Sequence, residues 1–358
     1  MQMRTEAGIV ELRVVYGQDP HDGHWGCPMR ELWGLSPHQQ LSLALEDKLA
    51  FTITATGSYE EAAAVSAKWG CALEDSTLHA LAQRVGARAE EKIQERMKAP
   101  PAEQEPQRAA SPLAVLLMDG WMARFRAEGW GRKKTQKSRV EWHEIKTGVF
   151  YNDQQRAQGV SGRGMLAQKV IVNWQGAPQE LGRRLNWEGL RLGLARARQK
   201  LVLSDGAAWI WNLKEDRWKE ADELLDFYHA SQHLWRMGDA LWGEGKSAFW
   251  VEPRLHQLRH GQEKKLLREL NQIKGSGLRG KVLREERNYF QRHAGRMNYQ
   301  QAVRRGWPIG SGAVESACRQ KQCRFKRCGQ FWTQKGFRHL CALDEARRNR
   351  HWDELWNA

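Results

Sequence analysis

Two stretches of this chain are built alike: VLLMDGW around Asp119 and LVLSDGAAW around Asp205. Each is a run of branched apolar residues of strand length, broken by an aspartate and then a glycine. A run this dense holds as a strand only when both of its faces are covered, as in the interior of an α/β sheet. Carboxylates at the ends of neighbouring strands in such a sheet project into one crevice, the place where α/β sheets bind ligands. Asp-Gly is also a common turn dipeptide, which accounts for either aspartate taken alone. Two of them in equivalent places argue for a shared task.

Residues 113–118, 142–151, 166–174, 201–203 and 224–228 read as five strands, each rich in branched or aromatic residues. A helix over 181–199 precedes the fourth, carrying Leu181, Leu185, Leu190, Leu192 and Leu194 among arginines. After the fifth strand comes a helix-rich stretch, then a further helix beginning near Ala313. Upstream, apolar residues at three- and four-residue spacing predict an all-α region over 1–98: Leu41, Leu43, Leu45, Leu49, then Ala63, Val65, Trp69, then Leu78, Leu81, Val85. Ser58 and Ser76 are expected as caps, and Gly70 at the bend allows a helix-turn-helix. Residues 99–112 hold four of the ten prolines and read as a linker. The expected plan is a helical region over 1–98, that linker, an α/β core over 113–235, a helical insertion over 236–306, and the last part of the core over 307–358.

Charge sharpens this plan. The chain carries a formal net charge of +15, yet residues 1–100 hold 10 basic against 14 acidic side chains. The excess gathers at the other end, where residues 304–350 hold 12 basic and 3 acidic. Arg319, Lys321, Arg324, Lys326 and Arg327 are its centre, the footprint expected of a protein that binds a polyanion such as double-stranded DNA. Inside this basic segment lies Glu315, just after the sharp glycine turn IGSG and in the first turn of the expected helix. A helix dipole favours an acid there by about 0.3–1 kcal/mol. An acid embedded among phosphate-binding cations also suggests a metal between acid and phosphate. Two divalent ions, held roughly 3.5–4 Å apart in nucleases and polymerases, require carboxylates from at least two directions. Trp307, Phe331 and Trp332 flank the basic run and are candidates for stacking on exposed bases.

His229 and His233, with Cys318, Cys323 and Cys328, invite a zinc reading. The five-residue cysteine spacing fans these thiols around a helix, and no C-x₂-C pair exists, so zinc is set aside. Six cysteines are too few for a disulfide scaffold and are expected as thiols. With no apolar run of 18 residues and no secretory leader pattern, no membrane association is expected and a cytoplasmic location is.

Asp119, Asp205 and Glu315, with the phrases SDGAAWIWN, DFYHASQHLW and PIGSGAVESACRQKQCRFKRCGQFW, resemble the catalytic core of bacterial DDE insertion-sequence transposases. The likeness is greatest to the ISKra-four-type family, whose layout is Mutator-like, and it spans about residues 113–343. The resemblance implies an RNase H-like mixed sheet with a helical insertion before the last catalytic helix. It implies two Mg²⁺ or Mn²⁺ ions, with Asp119 shared by both, Asp205 on one and Glu315 on the other. It further implies cleavage at element ends and strand transfer into target DNA, with no covalent protein–DNA bond, by a homo-oligomer. Asp226 and His229 match an aspartate-x-x-histidine element and are possible accessory residues. A nuclease of the same fold without strand transfer, and a catalytically retired DNA-binding protein, share much of this pattern.

Overall fold

The computed structural model describes residues 1–33, 35, 39–101, 111–130, 139–159 and 164–356. In chain order they form α1 (Leu43–Ala55), α2 (Tyr59–Lys68), α3 (Asp75–Arg96), β1 (Leu113–Arg126), β2 (Val140–Asn152), β3 (Val170–Gln175) and α4 (Pro178–Arg191). There follow β4 (Gln199–Ser204), α5 (Ala208–Arg217), β5 (Asp222–Leu225), α6 (Phe227–Trp242), α7 (Ala248–Arg259), α8 (Glu263–Gln272) and α9 (Gly277–Arg292). The last are α10 (Tyr299–Arg304), α11 (Gly312–Phe325) and α12 (Gln334–Arg348). Two compact units result, one of Met1–Arg96 with Arg327–Ala358 and one of Met97–Lys326. Most of the expected linker, residues 102–110, lies outside the described residues.

The second unit is a mixed α/β structure around one five-stranded sheet in the order β5-β4-β1-β2-β3. β5, β4 and β1 run parallel, whereas β1, β2 and β3 pair antiparallel. Thr147 and Gly148 are successive residues of β2 and therefore face opposite sides of the sheet. α11 covers the Thr147 side, where Trp121 and Phe325 stand with ring centroids 6.3 Å apart. On the other side, a Cβ on Gly148 would meet Leu185 of α4 at 2.7 Å, so glycine is what lets that helix approach.

Several element boundaries differ from the sequence expectation. β1 does not stop at Asp119 but continues to Arg126, because β2 extends alongside it to Val140. The third strand begins at Val170; Gly164–Leu166 belongs instead to a small hairpin with Arg156–Gln158. α4 ends at Arg191 because Gly193 adopts a left-handed conformation, φ +88°. α5 fills the stretch between the fourth and fifth strands, and the residues after Leu225 begin α6 rather than extend a strand.

In the first unit, Ser58 caps α2 as expected, its hydroxyl accepting the Glu61 N–H at 3.0 Å. Ser76 does not cap α3, which has already begun at Asp75. Nor is the region wholly helical: Gln2–Thr5 pairs with Gly8–Glu11, and Gly17–Gln18 with Trp25–Gly26. The first of these hairpins buries little apolar surface, so it leaves no alternating pattern to read. α3 and α12 pack so closely that a Cβ on Gly86 would lie 2.5 Å from the His339 carbonyl oxygen. Residues 327–358 thus belong with the N-terminal helices rather than with the sheet, contrary to the expected plan.

Candidate active site

Met118 of β1 and Ser204 of β4 are register partners, and the Ser204 hydroxyl donates to the Met118 carbonyl at 2.8 Å. The next residue on each chain is an aspartate. Asp119 and Asp205 are therefore side by side, on strands separated by about 4.8 Å. Their local settings differ. Asp119 is mid-strand, paired with Thr147, so the turn explanation fails for it. Asp205 does open a turn: its Oδ1 accepts the Ala207 N–H at 3.0 Å, and Gly206 takes φ +107°, a conformation suited to glycine.

Glu315 lies in the first turn of α11, the helix that packs on β1 and β2. Ser311 donates its hydroxyl to Glu315 Oε1 at 2.9 Å. Three residues on, about 4.5 Å along the axis, the buried Cys318 thiol lies beside Asp119 and Thr147. Beneath this contact runs a buried polar chain across three strands. Trp121 Nε1 donates to Thr147 Oγ1 at 3.1 Å, and Thr147 donates to Asn173 Oδ1 at 2.9 Å.

Asp226 and His229, paired as accessory residues in the sequence, have different places. Asp226 is fully buried, and both of its oxygens are committed to the backbone. Oδ1 accepts the His229 N–H at 2.8 Å, capping α6, while Oδ2 accepts the Ser311 N–H at the entrance of α11. It ties the end of β5 to the helix that bears Glu315. His229 is half-buried, and its charge bears on Asp119. Between them Tyr228, 61% exposed, lays its ring over Gly310, where a Cβ would meet it at 2.6 Å.

The electrostatics are those of an acid pocket awaiting positive charge. Burial raises the Asp119 pKa, and the Asp205 charge raises it further; the Gly120 N–H, Cys318 and His229 pull the other way. Burial also pushes the Cys318 thiol far up, with Asp119 and Glu315 adding to it, so the sulfur stays protonated. Among the described residues none of Asp119, Asp205 and Glu315 pairs with a lysine or arginine, in a chain that holds 57 of them. The donor set of three carboxylates fits a hard divalent cation such as Mg²⁺ or Mn²⁺. No three His, Cys, Asp or Glu side chains among the described residues converge on one point. An ion here would accordingly rest on two carboxylates, Asp119 with Asp205, and draw its other ligands from water and substrate.

The basic segment divides. Arg319 and Lys326 are exposed and Arg324 is half-buried, all three on or beside α11. Lys321 is 1% exposed and Trp332 7% exposed, so neither reaches a DNA surface, which corrects their assignment as contacts. Both sit on buried faces of helix and loop that the run of charge and aromatics conceals. Arg327 is exposed, belongs to the other unit and forms an ion pair with Glu61 at 2.7 Å. Trp307 is half-buried under the Arg305 guanidinium, 4.8 Å from its ring. An aromatic not singled out in the sequence is better presented: Trp142, 53% exposed, has Arg124 and Lys326 over its ring at 5.9 and 5.6 Å. Cys318 was likewise missed, although its i+3 spacing from Glu315 was the available signal.

Fold and site together define a mixed α/β protein in which two neighbouring strands of one sheet bring Asp119 and Asp205 side by side. No protein-family model matches the chain, and no curated protein matches it. Among solved structures, the Drosophila P element transposase strand transfer complex is similar at 12% identity, over 87% of this chain and 79% of that one, with a TM-score of 0.29. No described helix is long and apolar enough to cross a membrane.

Proposed function

We propose that the protein is a DDE transposase of RNase H-like fold, of the ISKra-four type, which cuts the ends of its DNA element and joins them to target DNA. The observation that carries this reading is the pair Asp119 and Asp205, each following one of two register partners on parallel strands and neither with a basic partner, with Glu315 in the first turn of the helix that packs on the same sheet. The strand order β5-β4-β1-β2-β3 supports the RNase H-like assignment. Divalent ions, when bound by these carboxylates, would supply a nucleophile at neutral pH and charge stabilisation at phosphorus.

The chain's own residues do the rest. Asp119 and Asp205 would hold the cation, and the Gly120 N–H orients Asp119 by donating to its Oδ1. Asp205 and Glu315 define the two sides of the pocket. Arg319, Arg324 and Lys326 hold the phosphate backbone along α11, while Trp142 and Tyr228 offer exposed rings to unpaired bases near the cut. The active complex is a homo-oligomer on double-stranded DNA.

Asp119→Asn, Asp205→Asn and Glu315→Gln are nearly isosteric. Each is expected to abolish Mg²⁺-dependent cleavage of element-end DNA while DNA retention in a gel stays close to wild type. Wild-type cleavage by any one of them removes that residue from the site. A strand-transfer assay with a 3′-hydroxyl end then separates the alternatives: cleavage without joining means a nuclease, and neither activity means a DNA-binding protein.

A further inference from the structure

The helical insertion meets the candidate site at the turn that follows β4. Tyr289, near the end of α9, donates its hydroxyl to the main-chain carbonyl of Asp205 at 2.9 Å. The next residue is hemmed in by the same helix. A Cβ on Gly206 would lie 2.9 Å from His293 Nε2 and 3.2 Å from Tyr289 Cε2. His233 of α6 stacks on the Tyr289 ring, centroids 3.5 Å apart and 20° between planes, while its Nδ1 contacts Glu286 of α9. His293, 1% exposed, meets the Tyr289 ring edge-on at 4.8 Å. Burial, with the charge of Asp205 next, raises the Tyr289 pKa, so the phenol remains a donor; burial and neighbouring arginines lower that of His293 to about 4, so the imidazole stays neutral.

Physically, this is a clamp on a peptide unit. The plane of the Asp205–Gly206 peptide sets the direction in which the Asp205 side chain leaves the backbone, and a glycine in that turn would otherwise leave the plane free to rotate. A hydrogen bond from a half-buried ring, itself held between two imidazoles, removes that freedom.

We infer that Tyr289 is a positioning residue: seated by His233 and His293, it holds the Asp205–Gly206 turn so that the Asp205 carboxylate offers a preformed half of a divalent-cation site, and it couples the helical insertion to cation binding. The inference rests on reading Asp205 as a cation-binding acid. Outer groups that orient a metal ligand typically change affinity or activity by about 10–100-fold when removed.

The test uses the full chain and Mn²⁺ alone, with free Mn²⁺ read by electron paramagnetic resonance, beside cleavage at varied Mg²⁺. Tyr289→Phe keeps the ring and the stack. It is expected to bind Mn²⁺ about tenfold or more weakly, to need correspondingly more Mg²⁺ for half-maximal cleavage, and to approach the wild-type rate at saturating Mg²⁺, with an unchanged melting temperature. General damage to the fold would instead lower the rate at every Mg²⁺ concentration, which overturns the positioning role. Asp205→Asn serves as the separate control. If it loses Mn²⁺ binding and Tyr289→Phe does not, the clamp is wrong and the reading of Asp205 stands; if Asp205→Asn binds Mn²⁺ as wild type does, that reading itself fails. Should Tyr289→Phe not fold, His233→Ala removes the stacked ring and leaves the hydroxyl, and an unchanged Mn²⁺ affinity there overturns the inference.

Discussion

Asp119 is an acid held where its charge is disfavoured, chiefly by burial and then by Asp205. A carboxyl whose pKa is raised in the folded state contributes its full stability below the unfolded pKa. That contribution is lost as pH rises through the folded pKa, so at neutral pH the ionised Asp119 weakens the metal-free fold. Asp119→Asn is therefore expected to raise the melting temperature at pH 7 in the presence of a chelator, with the gain shrinking as pH falls through the raised folded pKa toward the unfolded one. Added Mg²⁺ should raise the melting temperature of the wild type more than that of the variant, since only a site that binds gains by mass action. A variant that melts no higher than wild type under chelation would contradict the burial argument. Two neighbours on α11 separate in the same way. Neutralising Arg319 and Lys326 should lower the slope of log binding against log salt by about 0.9 per lost phosphate contact. Lys321→Ala, at a position 1% exposed, should leave that slope alone and cost roughly 1–3 kcal/mol in chemical denaturation.

At the scale of elements, one buried side chain decides where Glu315 stands. Asp226 accepts from the first turn of α6 and from the Ser311 N–H that opens α11, so two helices and the end of β5 share a single carboxylate. Asp226→Ala removes a cap, at about 0.5–2 kcal/mol, and strands a buried N–H, at about 1–3 kcal/mol. The expected cost is about 2–4 kcal/mol in urea denaturation, with cleavage lost in proportion to the displacement of Glu315. A variant of wild-type stability would mean that Asp226 faces the substrate instead. The aspartate-x-x-histidine phrase was legible as a unit in the sequence, but its division of labour was not. Which carboxylate caps a helix depends on where a second segment, 85 residues away, happens to cross.

At the scale of the molecule, the segment after Lys326 changes allegiance. Phe337, Leu340 and Leu343 on α12 are buried within the unit of α1, α2 and α3, and Arg88 donates to the Leu355 carbonyl at 2.9 Å. Ending the chain at residue 326 is expected to unfold the first unit and leave the sheet-bearing unit folded. Limited proteolysis followed by mass spectrometry would then show a protected fragment from the second unit alone; equal protection of both would refute the division. The boundary of the two units falls within the basic charge cluster, between Lys326 and Arg327.

The amino-acid sequence by itself determined the sheet and its two aspartates, because dense apolar runs and the residues that interrupt them are local properties that survive without knowledge of the fold. It likewise determined that Glu315 opens a helix, since a glycine turn followed by a helical run is local too. The side on which Lys321 and Trp332 lie, the continuation of β1 past Asp119, the thiol under Asp119 and the phenol under Asp205 were decided only by tertiary packing. Each depends on a partner strand or helix distant in sequence, and a side chain's exposure or hydrogen-bond partner is a property of that pairing rather than of the residue.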